Sequence, residues 1–495
     1  MHLSQLLAND FSIPCDIDRD VARLVLDSRQ IQPQDLFMAV KGTQIDGRQY
    51  ILEAITKGAI AVLKEAESQQ EALTWQQHIP IIPIDQLSRQ LGQIASRFYD
   101  FPVKQLRMIG VTGTNGKTSC THFLAQCLQA LHIPCGTIGT LGVGFDGQLQ
   151  ETSLTTPDAI TLQASLRDLV NKGAQVVAME VSSHSIEQGR VNSIPYETGI
   201  FTNLTQDHLD YHGDMASYAA VKQRFLMDSS VKQIIINADD AYGEDWMHEL
   251  AQQKSVFSYS IRRPSAKPQQ LPSVFTKSIQ LLSQGIKANV GSFWGEGELL
   301  LPLMGQFNLS NALAVLTALC AMGFSFQEVI NQLSQLKSVP GRMQALGGMT
   351  KPLVVVDYAH TPDALEKVLQ ALRDHTLGKL ICVFGCGGDR DKTKRSLMAS
   401  IAEQLADQVW VTTDNPRHEQ PEVIAEEILQ GFSNKLQIHV ELDRSKAIQN
   451  SIQSAQAGDC VLIAGKGAER YQQIGDDKIP FDDVTQVQTC LGTRN

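Results

Sequence analysis

The sequence predicts an α/β protein of three domains, and three observations lead there. The chain has 495 residues, too many for one core and enough for about three domains at roughly 150 residues each. A β-like segment, "RMIGVT", passes through a glycine-rich turn into a helix-like stretch, "KTSCTHFLAQCLQAL". After "SVPGRMQ", apolar strands alternate with helix-like stretches, the pattern of a doubly wound parallel sheet.

Taken in chain order, residues 1–100 hold short apolar runs, "ARLVLDSR", "DLFMAV", "AIAVLK" and "IPIIPI", between helix-like segments and no catalytic constellation. They read as a small α/β domain that holds a substrate. The proline of "FYDFPVKQLRMIGVTG" marks a boundary near 100. A central domain, 101–338, carries the glycine-rich turn and two buried-strand patterns, "AQVVAMEVSSHS" and "VKQIIINADD", each ending in polar residues. In the third domain, 339–495, the strands are "PLVVVDYAH", "KLICVFGCGGDR", "QVWVTTDNPR", "LQIHVELD" and "DCVLIAGKGAER". All end in charged or glycine-rich residues, and ligands of such sheets bind beyond the carboxyl ends of the strands.

Composition excludes some classes of function. A formal charge of −11 and a pI near 5.6 argue against a broad nucleic-acid surface, which needs clustered Lys and Arg. The amino terminus lacks the cationic start and apolar core of a secretory signal, and no apolar run approaches the ~20 residues of a membrane span. A soluble, cytoplasmic protein is expected. Nine cysteines, at 15, 120, 127, 135, 320, 382, 386, 460 and 490, show no paired CxxC spacing, so reduced and mostly buried thiols are expected.

The turn "GVTGTNGKTS" departs from the usual phosphate-loop spacing by one residue: Val111 stands where a glycine is required, and glycines stand at 110 and 113. Its setting between strand and helix is nonetheless that of a phosphate loop, whose turn amides and helix amino terminus point at anionic oxygens. Gly113, Thr114, Asn115 and Gly116 would form the cradle, Lys117 would neutralise the β and γ phosphates, and Thr118 would face a magnesium ion. Glu180 ends a buried strand, and His208 lies in the polar cluster "NLTQDHLDYHG". A carboxylate and an imidazole suit a second divalent ion; a hydrogen-bonded loop histidine is the alternative for His208, and Asp207, Asp210 and His212 compete for its place.

Together "GVTGTNGKTS", "MEVSSH", "NLTQDHLDYHG", "YAAVKQRF", "GQFNLSNALAV", "VPGRMQ" and "VDYAHTPD" resemble the Mur ligase family, in this order and across almost the whole chain. The loop GTNGKT is that family's version. The resemblance implies an N-terminal UDP-sugar domain, a central P-loop ATPase domain with a mostly parallel sheet, and a C-terminal Rossmann-like domain that brings in an amino acid. It also implies amide-bond formation through an acyl phosphate in peptidoglycan synthesis, and with it a part in cell wall biogenesis, cell shape and cell division. Lys222 of "YAAVKQRF" would be a carbamate supporting a magnesium ion; a plain surface lysine is the alternative. Asn308 would meet the adenine side of ATP, or else act as a helix cap. Arg342 and Asp357 would approach the nucleotide, with His360 a weaker candidate and a surface ion pair the alternative for Arg342.

"TTDNPRHEQP" bears on which amino acid is joined. Asp414, Asn415, Pro416 and Arg417 resemble the DNPR motif of the ligases that add meso-diaminopimelate. That substrate differs from lysine by a second carboxylate, which a guanidinium can grip in a bidentate fork. A proline turn capping the next helix would explain Asp414 and Asn415 but not the arginine. Arg390, Gly465 and Glu469 are further matches, whereas Ala468 replaces the histidine of the commoner GKGHE pattern. On the nucleotide-sugar side, Leu26, Ser28 and Gln44 match the uridine pocket. Thr155, Thr156, Ser182, Gln188 and Arg190, with Asn115 and Lys222, match contacts to UDP-MurNAc-L-Ala-D-Glu. Magnesium, ATP and these small molecules are the expected partners, and a monomer the expected assembly.

Overall fold

The computed structural model describes residues 1–8, 13–42, 45–68, 71–152, 154–262, 271–282, 285–434 and 436–492. The chain divides into two compact units, Met1–Ser258 and Tyr259–Asn495.

The first unit begins with a five-stranded sheet. Arg23–Val25, Asp35–Ala39, Ala61–Glu65 and Ile79–Ile84 run parallel in that order, and Thr74–Gln76 closes the edge antiparallel. Side chains alternate between the faces of a strand. Leu36 and Met38 therefore meet Leu87, Leu91 and Ile94 of the helix Leu87–Phe98, while Phe37 and Ala39 pack with Ala54 and Ile55 on the other side.

The second sheet of this unit supports the glycine-rich turn. Arg107–Thr112 lies between Val176–Glu180 and Tyr196–Phe201, all parallel, with Val231–Asn237 beyond the latter and Cys135–Gly139 beyond the former. Gly142–Phe145 and Gln148–Gln150 add an antiparallel margin. Gly110, within the central strand, is required by packing: a Cβ there would lie 2.7 Å from the Phe225 ring and 2.8 Å from Tyr196.

The second unit opens with an antiparallel meander, Ser273–Leu282, Gly285–Ser292 and Gly295–Leu301, followed by helices Gln306–Ala321 and Phe326–Leu333. Its six-stranded sheet runs Gln344–Gly347, Leu353–Asp357, Cys460–Ala464, Leu380–Phe384, Gln408–Val411, Ile438–Val440, with only the first strand antiparallel. Cys382 and Phe384 face helices Pro362–His375, Thr393–Leu405 and Pro421–Leu429; Ile381 and Val383 face Arg444–Ser454 and Asp483–Gly492. Both faces are covered, as the unbroken apolar runs predict. The loops after Asp357, Phe384, Val411 and Ala464 leave the carboxyl ends of adjacent parallel strands.

Candidate active site

The candidate residues fall into two groups, one in each unit. In the first unit, strand Arg107–Thr112 delivers the chain into the turn, and Gly116 precedes helix Lys117–Ala130 with a φ of 85°. Gly113 has a φ of 144°, and a Cβ on it would fall 1.9 Å from Thr202 Oγ1, so both steric room and backbone conformation demand glycine. The turn is clamped from the side. Asn115 N donates to Asn203 Oδ1 (3.0 Å), Thr202 Oγ1 donates to Asn115 O (2.6 Å), and Thr114 Oγ1 donates to Thr205 O (3.1 Å). Lys117 Nζ is folded back on the turn, donating to Gly113 O at 2.9 Å and Thr114 O at 2.8 Å.

Lys222 is not a surface lysine. It is 1 % exposed, its Nζ donates to Gly113 O at 3.0 Å, and the amine lies 4.7 Å from the centre of the Tyr218 ring. Burial, reinforced by the nearby charge of Lys117 and opposed by Asp207, holds its amine well below the usual lysine range. Such an amine is easily neutral and nucleophilic.

Glu180 is also buried. Its Oε1 accepts from Thr140 N at 2.8 Å and its Oε2 from Thr140 Oγ1 at 3.3 Å. Gly139 makes room for it, since a Cβ there would come within 2.3 Å of Oε1. Thr140 Oγ1 reaches Thr155 Oγ1 at 3.2 Å; Thr156 Oγ1 donates to Glu180 O at 2.8 Å and lies 3.2 Å from Ser182 Oγ. Arg190 Nη1 donates to Thr156 O at 2.9 Å and its Nε to Gln188 Oε1 at 2.9 Å. Thr155, Thr156, Ser182, Gln188 and Arg190 thus form one connected polar network leading to Glu180. Leu26, Lys41, Gly42, Asp158, Gln188 and Arg190 line a cleft of about 640 Å³. Ser28 is buried and donates to Glu53 Oε2 at 2.9 Å, and Gln44 lies outside the described residues.

His208 has a φ of 54°, is half exposed, and pairs with Asp207 (3.4 Å). Its ring meets His184 edge-on at 5.0 Å; His212 stacks on Tyr218 at 5.1 Å and reaches Ser183 Oγ at 2.9 Å. Among the described residues no three His, Cys, Asp or Glu side chains gather into a cation cage. The donors offered are the Thr118 hydroxyl, the Glu180 carboxylate and the His208 imidazole. Thr140 N and Thr140 Oγ1, which donate to Glu180, are both neutral. As donor kinds, an alcohol and a carboxylate fit magnesium, which takes few protein ligands and completes its shell with phosphate oxygens and water.

In the second unit, Asn308 lies in the first turn of Gln306–Ala321, where its Nδ2 donates to Met304 O at 2.8 Å; Gly305 is the cap. Asp357 is buried at its strand end, accepting from Met343 N at 2.7 Å and Ala359 N at 2.8 Å. Burial raises its carboxyl above the usual range, opposed by the charge of Arg342. The Arg342 guanidinium lies 4.4 Å from the centre of the Tyr358 ring, a cation–π arrangement, and makes no ion pair among the described residues. His360 holds Tyr358 O through Nδ1 at 2.8 Å.

The remaining candidates converge at the carboxyl ends of three parallel strands. Asn415 Nδ2 donates to Glu469 Oε2 at 2.8 Å; Asn415 Oδ1 accepts from Lys466 Nζ (2.9 Å) and Gln473 N (2.9 Å). Lys466, fully buried, also donates to Glu469 Oε2 at 3.0 Å. Gly465, φ 114°, leaves space for Asp414: a Cβ would lie 2.4 Å from Asp414 Oδ2. Asp414 and Asn415 are buried and do not cap the following helix, whose cap is Gln420. Pro416 is close-packed, with its carbonyl 1.9 Å from where a Cβ on Gly388 would stand. Arg417, φ 51°, donates from Nη1 to Gly388 O at 2.8 Å. A Cβ on Gly387 would lie 2.9 Å from Arg417 Nη1 and 3.8 Å from Arg390 Cγ, so both arginines flank one glycine.

Sequence reasoning missed Thr140, Tyr218 and Lys466. Lys466 stood inside the quoted "AGKGAER" and had a signal, a cation between glycines at a strand end. Thr140 had none, because its role comes from the strand pairing that brings it to Glu180.

Three family models match the chain: "Mur ligase family, catalytic domain" over residues 20–99, "Mur ligase middle domain" over 111–319 and "Mur ligase, glutamate ligase domain" over 341–467. The chain is 48 % identical over 491 residues to a UDP-N-acetylmuramoyl-L-alanyl-D-glutamate–2,6-diaminopimelate ligase of Coxiella burnetii, covering 99 % of each. A solved structure of a ligase of that name is 34 % identical, with a TM-score of 0.72 over 100 % of this chain and 99 % of that one. The MurF ligase of Thermotoga maritima in complex with ADP shares the fold at 18 % identity, TM-score 0.62, over 97 % of this chain and 98 % of that one.

Proposed function

We infer the function from one premise: the chain belongs to the Mur ligase family, at 48 % identity to a curated member over 99 % of its length. It is an ATP-dependent ligase that joins meso-2,6-diaminopimelate to the D-glutamyl side-chain carboxylate of UDP-MurNAc-L-Ala-D-Glu in peptidoglycan synthesis. The observation that carries the choice of amino acid is Arg417. It donates to a neutral carbonyl, shares Gly387 with Arg390, and has no carboxylate partner among the described residues. Lysine would leave it without one, at a cost of several kcal/mol if the site closes around it.

The reaction needs activation because a carboxylate is a poor electrophile and phosphate a good leaving group. The substrate carboxylate attacks the γ phosphorus of ATP; ADP leaves and an acyl phosphate forms. The amine of diaminopimelate then attacks the acyl carbon, phosphate departs, and the amine loses a proton. Lys117 turns from its two turn carbonyls to the phosphates and offsets their charge, as do the turn amides. Asn308, Arg342 and Asp357 hold the nucleotide. Arg190, Gln188, Ser182, Thr155 and Thr156 seat the dipeptide, and Leu26, Ser28 and Gln44 the uridine end. Glu469 takes the diaminopimelate ammonium, with Asn415 holding the Glu469 carboxylate in place, while Arg417 and Arg390 take the distal carboxylate of the substrate. Thr118, Glu180 and His208 would hold magnesium, which when bound neutralises phosphate charge. Lys222, buried and neutral-prone, is suited to adding carbon dioxide as a carbamate. The domain limits proposed are near 100 and 338, and the working form is a cytoplasmic monomer.

ADP release with ATP, magnesium and UDP-MurNAc-L-Ala-D-Glu, with diaminopimelate or lysine in parallel, tests this. Turnover and a tripeptide product only with diaminopimelate are expected. Equal ADP release without any amino acid would overturn the ligase reading; a lysine preference would overturn only the role of Arg417.

A further inference from the structure

The stretch "GCGGDRDKTKR" contains more charge than Arg390 alone explains. Its last residue, Arg395, is 0 % exposed although it lies in the first turn of helix Thr393–Leu405. Its Nη1 donates to Glu419 Oε2 at 3.0 Å and its Nη2 to Glu419 Oε1 at 3.0 Å, a bidentate fork. Nη1 also meets Glu427, and Nη2 reaches Gly387 O at 3.3 Å. Glu419 in turn accepts from Asp389 N at 2.7 Å and pairs with Lys392 at 3.1 Å. Gly387 and Asp389 belong to the loop that carries Arg390, whereas Glu419 follows Arg417 by two residues. One buried guanidinium and one carboxylate therefore tie the two arginine-bearing loops to each other.

We propose that Arg395 and Glu419 are positioning residues for amino-acid selection, fixing Arg390 and Arg417 at the spacing that grips the second carboxylate of the incoming amino acid. Neither needs to touch the substrate. The inference rests on the diaminopimelate reading and deepens it. Glu427 supplies an internal comparison, because it bonds Arg395 from the helix Pro421–Leu429 and holds no amide of either loop. Two carboxylates thus neutralise the same cation and both approach Lys392, Glu419 at 3.1 Å and Glu427 at 3.8 Å, but among the described residues only Glu419 accepts a backbone amide of the loop that carries Arg390. A purely structural role for the buried charges predicts equal effects of losing either one. A positioning role predicts unequal effects.

The test is steady-state kinetics of the full chain carrying Glu419→Gln, Glu427→Gln or Arg395→Lys, varying diaminopimelate, ATP and UDP-MurNAc-L-Ala-D-Glu in turn, with lysine as the competing amino acid. Glu419→Gln should raise the KM for diaminopimelate about tenfold and lower its preference over lysine by a like factor, leaving the other two KM values within about twofold. Glu427→Gln should lower the thermal midpoint without moving that preference, and Arg395→Lys should fall between them. Equal changes in all three KM values, or equal effects of the two glutamine variants, would overturn the positioning role while leaving the ligase reading intact. Wild-type protein that makes no product with diaminopimelate would overturn both.

Discussion

The proposed phosphate turn and the proposed amino-acid cluster are built in opposite ways. The turn from Gly113 to Thr118 is six consecutive residues, braced by its neighbours Thr202, Asn203 and Thr205. The cluster around Arg417 draws on residues 387 to 390, 414 to 417 and 465 to 469, brought together by adjacent strand ends and by buried charges. An anion site made of backbone is local; a site made of side chains chosen for one substrate is a product of topology. The first is general for phosphates, and the second can discriminate.

Breaking the turn should have the largest effect. Lys117→Ala should lower ADP release with all substrates present by about a thousandfold, some 4 kcal/mol of transition-state stabilisation, with or without changes in the amino acid offered. Arg417→Lys should sharpen the contrast: kcat/KM for diaminopimelate falls about a hundredfold, since a lysine cannot reproduce a bidentate fork, while ATP binding followed by fluorescence titration is unchanged. Gly465→Ala presses a methyl group on Asp414 at a φ of 114°. About a tenfold rise in the KM for diaminopimelate and a loss of about 1–3 kcal/mol in stability by denaturant titration are expected.

The smallest effect concerns pH. The Glu419 carboxyl is held down to about 2, mainly by its hydrogen bonds from Arg395, against the opposing effect of burial. A depressed carboxylate stabilises the fold above its ordinary value near 4.5 and loses that contribution as pH falls toward 2. The difference in thermal midpoint between wild type and Glu419→Gln should therefore be constant above pH 5 and shrink through pH 4 and 3. A difference that grew on acidification would contradict the ion pair.

The same contrast explains what was legible in the sequence. The turn was readable because all its parts are contiguous, and the strands ending at Asp357, Phe384, Val411 and Ala464 because unbroken apolar runs mark doubly covered strands. Arg417 and Glu469 were readable only through a family resemblance. Thr140 and Arg395 were not assigned, because each acts through a partner 40 or 24 residues away, whereas Lys466 has a local signal in its flanking glycines and in Glu469 three residues on. The antiparallel meander Ser273–Leu301 was also missed. Its strands alternate exposed and buried positions, and Gly285, Gly291, Gly295 and Gly297 interrupt the β-forming residues.

One feature of the turn reaches beyond structure into kinetics. Lys117 donates to two carbonyls of its own turn, so under the proposed mechanism phosphate contact is an exchange of partners for that ammonium, and departure of the nucleotide would be the same exchange reversed. A cation with nowhere else to go would grip spent nucleotide as tightly as fresh. On the proposed mechanism the carbonyls of Gly113 and Thr114 would take the ammonium back as ADP leaves, trading affinity for turnover.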